Sequence, residues 1–171
     1  MSIKKIGFSK KPVWELEADA LLNFSNTDLI PQPGSVFEEL VAVNPELVRT
    51  YGGTTLKLGT ATVLEPGTLS YKNICHLAIA GIGNDPSEMS IRNAMRWGFQ
   101  LLMEARHRSF VVPSLTAETG GMPTGMIAEI LLRELVVFAE SKDVDKVTIS
   151  IPVNKIATEY KKALKKFGVE V

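Results

Sequence analysis

Short apolar runs and longer segments of helical period alternate along this chain. The short runs are rich in β-branched residues and cover residues 20–23 (ALLN), 60–64 (TATVL), 74–80 (ICHLAIA), 110–112 (FVV) and 147–151 (VTISI). Near-continuous apolar runs of this length suit strands buried on both faces. Residues 13–16 and 169–171 add an early and a last short strand to this expectation. Between the runs, residues 36–51 carry Val36, Leu40, Val43, Leu47 and Val48 at helical spacing, with Asn44-Pro45 dividing them into two short helices. Asp85-Pro86-Ser87-Glu88 predicts a helix start, with Asp85 as N-cap and Pro86 in the first turn. Its inner face would hold Ala94, Gly98, Leu101, Leu102 and Ala105. Residues 124–140 form an apolar helix facing inward through Ile127, Ile130, Leu131, Leu135 and Phe138, and residues 155–167 form an amphipathic one that Gly168 stops.

Strands alternating with helices predict an α/β domain with a largely parallel sheet covered on both faces. Ligands of such sheets bind beyond the carboxyl ends of the strands. That rule singles out the loops after Asn23, after Ala80 and after Pro113.

Size and composition narrow the field. A chain of 171 residues, 45% hydrophobic and 22% charged, is read as one domain spanning residues 1–171. A single cysteine, Cys75, excludes an internal disulfide framework and a Cys-rich zinc module. Nineteen basic and nineteen acidic residues cancel, so bulk attraction to nucleic acid or to an anionic membrane is not expected. No apolar run approaches the ~20 residues of a membrane span. The lysine-rich beginning is unlike a secretory signal, and the expected location is the cytoplasm.

Candidate chemistry is sparse. Asn23, Ser25, Asn26 and Asp28 follow or end the first buried run; their uncharged members suit hydrogen bonding to sugar hydroxyls, and Asn and Asp equally suit a plain turn. The loop after Pro113 brings Ser114, Thr116, Thr119, Gly120 and Gly121 ahead of a helix, where small residues can offer backbone N–H groups to a phosphate. Glu118 in the same loop opposes an anion. Gly81-Ile82-Gly83 is half of a dinucleotide fingerprint with Pro86 where the third glycine belongs, so it reads as an ordinary turn. Cys75 and His76 are neighbours on a strand and point to opposite faces, which rules out a nucleophile–base pair. Cys75 reads as a core residue, and His107, between Arg106 and Arg108, as a cation at a helix end. Neither a metal site nor a cofactor is expected. Lys161, Lys162, Lys165 and Lys166 form a basic helix face, either solvated or open to RNA or an acidic partner.

The order of these segments resembles the macro domain family, the ADP-ribose-binding α/β/α module. Residues 18–26 (ADALLNFSN) are similar to the family's V-D-A-I-V-N-A-A-N, 58–63 (LGTATV) to its T-G-E-A segment, 73–78 (NICHLA) to its I-I-H-A-V strand and 110–115 (FVVPSL) to its F-P-A-I strand. The resemblance implies a three-layer α/β/α sandwich with a mixed, largely parallel central sheet. It also implies a small-molecule nucleotide such as ADP-ribose as partner. Asn23, Ser25, Asn26, Gly34, Ser114, Thr116, Thr119, Gly120 and Gly121 would bind the ligand, Asn26 would orient the ribose or a water, and Asp28 or Glu118 would be the nearest general base. The chain departs from the pattern in its first loop, where Pro31 and Pro33 replace glycines and have no N–H for a phosphate. Weak binding with little or no hydrolysis is therefore expected. The alternative is a macro-fold protein that has lost this site and serves as an interaction module or binds another small anion.

Overall fold

The computed structural model describes residues 2–115 and 121–168. Six strands form one sheet: β1 (Ile6–Ser9), β2 (Ala20–Asn26), β3 (Ala61–Leu64), β4 (Asn73–Ala80), β5 (Ser109–Pro113) and β6 (Lys146–Ser150). Their spatial order is β1-β6-β5-β2-β4-β3, parallel throughout except for β3, which runs antiparallel to β4 at the edge. All seven residues of β2 are buried, as its central position and apolar run require.

Two layers of helix enclose the sheet. α1 (Val36–Val43) and α2 (Glu46–Tyr51) cover one face, where Phe37, Leu40, Leu47 and Tyr51 pack on Leu21, Ile74 and Val111. α3 (Glu88–Glu104), α4 (Thr124–Ala139) and α5 (Asn154–Lys166) cover the other through Leu22, Phe24, Cys75, Leu77 and Ile79. Alternate residues of β2 thus serve opposite cores, the period-two rule of a strand. Across the α3–α4 contact, the buried Glu134 carboxylate accepts from Arg92 Nε at 2.9 Å and Arg96 Nη2 at 3.0 Å.

Several local expectations are corrected. Residues 13–16 form no strand; Val13–Glu15 is a turn of 3-10 helix following Pro12. The N-terminal edge strand β1 was not expected: four residues hemmed by Lys4, Lys5, Lys10 and Lys11 give no apolar run. α3 begins two residues later than read, with Ser87 as N-cap; its Oγ accepts from Ser90 N at 3.0 Å and Ser90 Oγ accepts from Ser87 N at 2.9 Å, closing a reciprocal cap. Ala105 is exposed beyond the end of α3. His107 is buried, with Nε2 donating to Asn73 Oδ1 at 2.8 Å, and burial pushes its pKa down, so it is not the expected cation. The break at Asn44-Pro45, the buried face of α4 and the left-handed Gly168 (φ 78°) after α5 agree with the pattern. Residues 169–171 lie outside the described residues. Among those described, no helix is long and apolar enough to cross a membrane.

Candidate functional site

The carboxyl end of β2 organises the site. Asn26 ends the strand, and its side chain is spent on the turn that follows: Oδ1 accepts from Asp28 N and Ile30 N, both at 3.1 Å, and Nδ2 donates to Ile30 O at 2.7 Å. This clamp holds Leu29 in the left-handed region (φ 52°). Next to it the β2–β4 register slips, so that Ser25 pairs with Ala78 but Asn26 with Ala80. Such irregularities bend a strand and re-aim its side chains. α3 is tied to the same edge, because Ser90 Oγ donates to Ile79 O at 2.5 Å.

A cavity of about 310 Å³ opens between these elements. Ser25, Asn26, Gln32 and Ser35 line one wall, and Gly81, Gly83, Asn84 and Asp85 the other, over a floor that includes Phe24, Phe37 and Ile79. Asp85 is its one charged lining residue among the described residues. A second cavity of about 130 Å³ lies on the other side of the segment that starts α1, between Trp14, Gly34, Val36, Glu39, Pro113, Ser114, Ser150 and Val153. The two alternate along one stretch of backbone: Pro33 and Ser35 face the first, Gly34 and Val36 the second. Ser35 is the N-cap of α1, its Oγ accepting from Glu38 N at 3.1 Å, and Gly34 (φ 78°) donates its N–H to Glu38 Oε1 at 3.3 Å. Burial, and then the adjacent Glu38 carboxylate, raise the Glu39 pKa.

Beneath the first cavity the sheet carries a polar column on the α1 face. Asn23 Nδ2 donates to His76 Nδ1 at 3.1 Å. Asn23 Oδ1, His76 Nε2 and Ser25 Oγ are buried without a hydrogen-bond partner. Burial drives the His76 pKa down to about 3, so the ring is neutral and sits edge-on to Tyr51, with centroids 4.5 Å apart.

The residues read from sequence are thus distributed unevenly. Ser25 and Asn26 line the first cavity, Gly34 and Ser114 the second, and Asn23 lies outside both linings, buried and bonded to His76. Asp28 is exposed and lies outside either lining. Gly121 is exposed with φ 92°, and Thr116, Glu118, Thr119 and Gly120 lie outside the described residues. The loop after Ala80, which the rule of the strand carboxyl ends marks and in which Gly81-Ile82-Gly83 reads as an ordinary turn, lines the first cavity through Gly81, Gly83, Asn84, Asp85 and Pro86. Among the described residues, no group of three or more His, Cys, Asp or Glu side chains is placed to hold a metal ion.

This architecture is that of the macrodomain. A Trypanosoma brucei macrodomain in complex with ADP-ribose superposes with a TM-score of 0.84 at 20% identity, covering 96% of this chain and 71% of that one. The ganglioside induced differentiation associated protein 2 macro domain gives 0.81 at 22% identity, over 95% of this chain and 84% of that one. The Oceanobacillus iheyensis macrodomain with MES bound gives 0.80 at 20%, over 95% and 90%. No family model and no curated protein matches the sequence.

Proposed function

We propose that this protein binds ADP-ribose or a closely related nucleotide across the carboxyl edge of its sheet, without hydrolysing it. The observation that carries this reading is the pair of cavities flanking the Pro33–Val36 backbone at the start of α1. A ligand with two compact ends and an anionic linker fits such a layout. In this reading the base lies in the second cavity against the Trp14 indole, the diphosphate crosses Gly34 and Ser35, and the terminal ribose enters the first cavity. The N-terminus of α1 favours negative charge at the crossing. The structural neighbours support the choice of ligand, since one is a complex with ADP-ribose and others are complexes with ADP.

The same geometry argues for modest affinity and against turnover. The diphosphate must take the Gly34 N–H from Glu38, and Pro31 and Pro33 contribute no donor. Hydrolysis needs an activated water held beside the ribose, with donors ready for the developing charge. Asn26, the residue best placed for that task, has its oxygen committed to two backbone amides. Glu39, Ser114 and Gly121 complete the proposed surroundings of the ligand, and Thr116, Thr119 and Gly120 are proposed contacts from the loop between them.

Isothermal calorimetry and thermal unfolding with ADP-ribose, ADP and AMP test the proposal. Saturable binding of ADP-ribose is expected, with ~2.7 kcal/mol of stabilisation at 100 times its dissociation constant. Absence of any shift overturns the nucleotide reading in favour of an interaction module. Robust release of ADP-ribose from a modified protein, or from its 1''-phosphate, overturns the assignment to binding alone.

A further inference from the structure

Between α3 and α4 the surface opens into a groove of about 470 Å³ that shares no lining residue with either cavity above. Phe99 and Phe138, stacked with centroids 4.0 Å apart, lie at its base, and Val137 on α4 is 63% exposed beside them. Arg92, Arg96 and Arg133 line the same groove. Met89, 72% exposed, continues the apolar strip past Arg92. Exposed arginine, methionine and aromatic groups side by side are the composition of a protein interface rather than of a solvated helix pair.

The buried Glu134 carboxylate orients two of the arginines. Its Oε1 accepts from Arg92 Nε at 2.9 Å and Arg96 Nη2 at 3.0 Å, and its Oε2 accepts from Arg96 Nε at 3.1 Å. One carboxylate cannot saturate two guanidiniums of five N–H donors each. Glu88 stands 3.6 Å from Arg92 Nη1 and 3.9 Å from Arg133 Nη1, beyond good hydrogen-bond length. Three guanidiniums, two of them held in place, thus keep donors free for an outside acceptor.

We propose that this groove docks an acidic amphipathic helix of a partner protein. The partner's carboxylates pair with the guanidiniums, and an apolar side chain covers Val137. Arg92 and Arg96 are one helical turn, about 6 Å, apart along α3, which matches carboxylates four residues apart on the incoming helix. Nucleic acid fits less well. Glu88 and Glu134 repel a dense polyanion, and the faces that Phe99 and Phe138 turn to each other are closed to a base.

A phage-displayed library of random dodecapeptides, panned on the wild type and counter-selected on Arg133→Glu, tests the proposal, with calorimetry on the synthetic winners. Winners are expected to carry Asp or Glu at helical spacing beside Leu or Phe. Arg133→Ala and Val137→Asp should each weaken them ~10-fold, the worth of one charge-assisted bond or one covered side chain. Replacing the peptide's Glu by Gln should do the same, and Lys162→Ala on α5 should change nothing. Arg133 and Val137 are exposed, so neither variant should lower the melting temperature. Arg92 and Arg96 are left intact, because removing either weakens the pairing of a buried carboxylate. Neutral or basic winners, or none that depends on Arg133, overturn the proposal. So does oligouridylate binding that Arg133→Ala weakens, which makes nucleic acid the occupant. A wild-type dimer that Val137→Asp splits overturns it too, in favour of a second copy of this chain.

Discussion

Asn23 Nδ2 donates to His76 Nδ1 across 3.1 Å, between strands β2 and β4 that pair these two residues in register. The bond puts the proton on Nε2, and burial keeps the imidazole neutral. It also makes the sheet sensitive to acid. In the folded chain His76 titrates at about 3, and in the unfolded chain near 6.5. The unfolded state therefore binds the extra proton first, and stability present above pH 6.5 drains away as pH falls towards 3. The expected contribution is about 1 kcal/mol per pH unit within that window. Urea unfolding of the wild type and His76→Gln across this range checks it. Identical slopes for the two proteins would falsify the assignment to His76.

At Gly98, α3 packs tightly against the sheet. A Cβ added there would stand 2.7 Å from Leu77 Cδ2 and 3.0 Å from Cys75 Sγ. Alanine is the better helix former by ~1 kcal/mol, yet overpacking a filled core costs ~1–3 kcal/mol. Gly98→Ala should thus destabilise despite its propensity. Burial pushes the Cys75 thiol up to about 12, so its reaction with a disulfide reagent should track global unfolding. Rapid labelling of the folded protein, or a stabilised Gly98→Ala, contradicts this packing account.

Much of this was legible in the chain and some was not, for identifiable reasons. Residues 74–80 and 147–151 announce themselves because both faces of an inner parallel strand are largely buried and most of their positions are apolar. β1 escapes because an edge strand needs no such run, and lysines at its ends suit an exposed edge. Ser87 rather than Asp85 caps α3 because Ser90 can reciprocate three residues on, and only Ser90 also reaches back to Ile79 O. The site shows the same division. Ser25 and Asn26, candidates because of the strand that carries them, line the first cavity, whereas Asp85 lines it from a loop that the sequence marks only as a turn and a helix start.

Asn26→Ala should act through the loop and not through a ligand contact. It removes the acceptor for Asp28 N and Ile30 N and the donor to Ile30 O. Leaving such groups unsatisfied costs ~1–3 kcal/mol, lessened where water reaches them. Amide exchange at Asp28 and Ile30 should accelerate, and the first cavity should lose its shape. If exchange at both amides is unchanged while ADP-ribose binding is lost, Asn26 touches the ligand directly and the clamp is secondary.

Trp14 gives the second cavity its chemical character. The indole is half-buried beside Pro12 and Val13, in a cavity whose other side chains include Val36, Val153 and Ile156. A flat aromatic ring among apolar groups favours another flat ring, and stacking a base on an aromatic side chain is worth ~1–3 kcal/mol. Trp14→Ala should therefore weaken ADP-ribose and AMP by roughly 5–150-fold. Ribose 5-phosphate, which has no base, should be unaffected, and Trp14→Phe should recover part of the loss. The chain has two tryptophans, and Trp97 is exposed on α3, so Trp97→Phe leaves Trp14 as the only indole. In that background AMP should quench the fluorescence with the same midpoint that calorimetry gives. Quenching without a matching calorimetric midpoint, or an equal loss of ribose 5-phosphate binding in Trp14→Ala, places the base elsewhere.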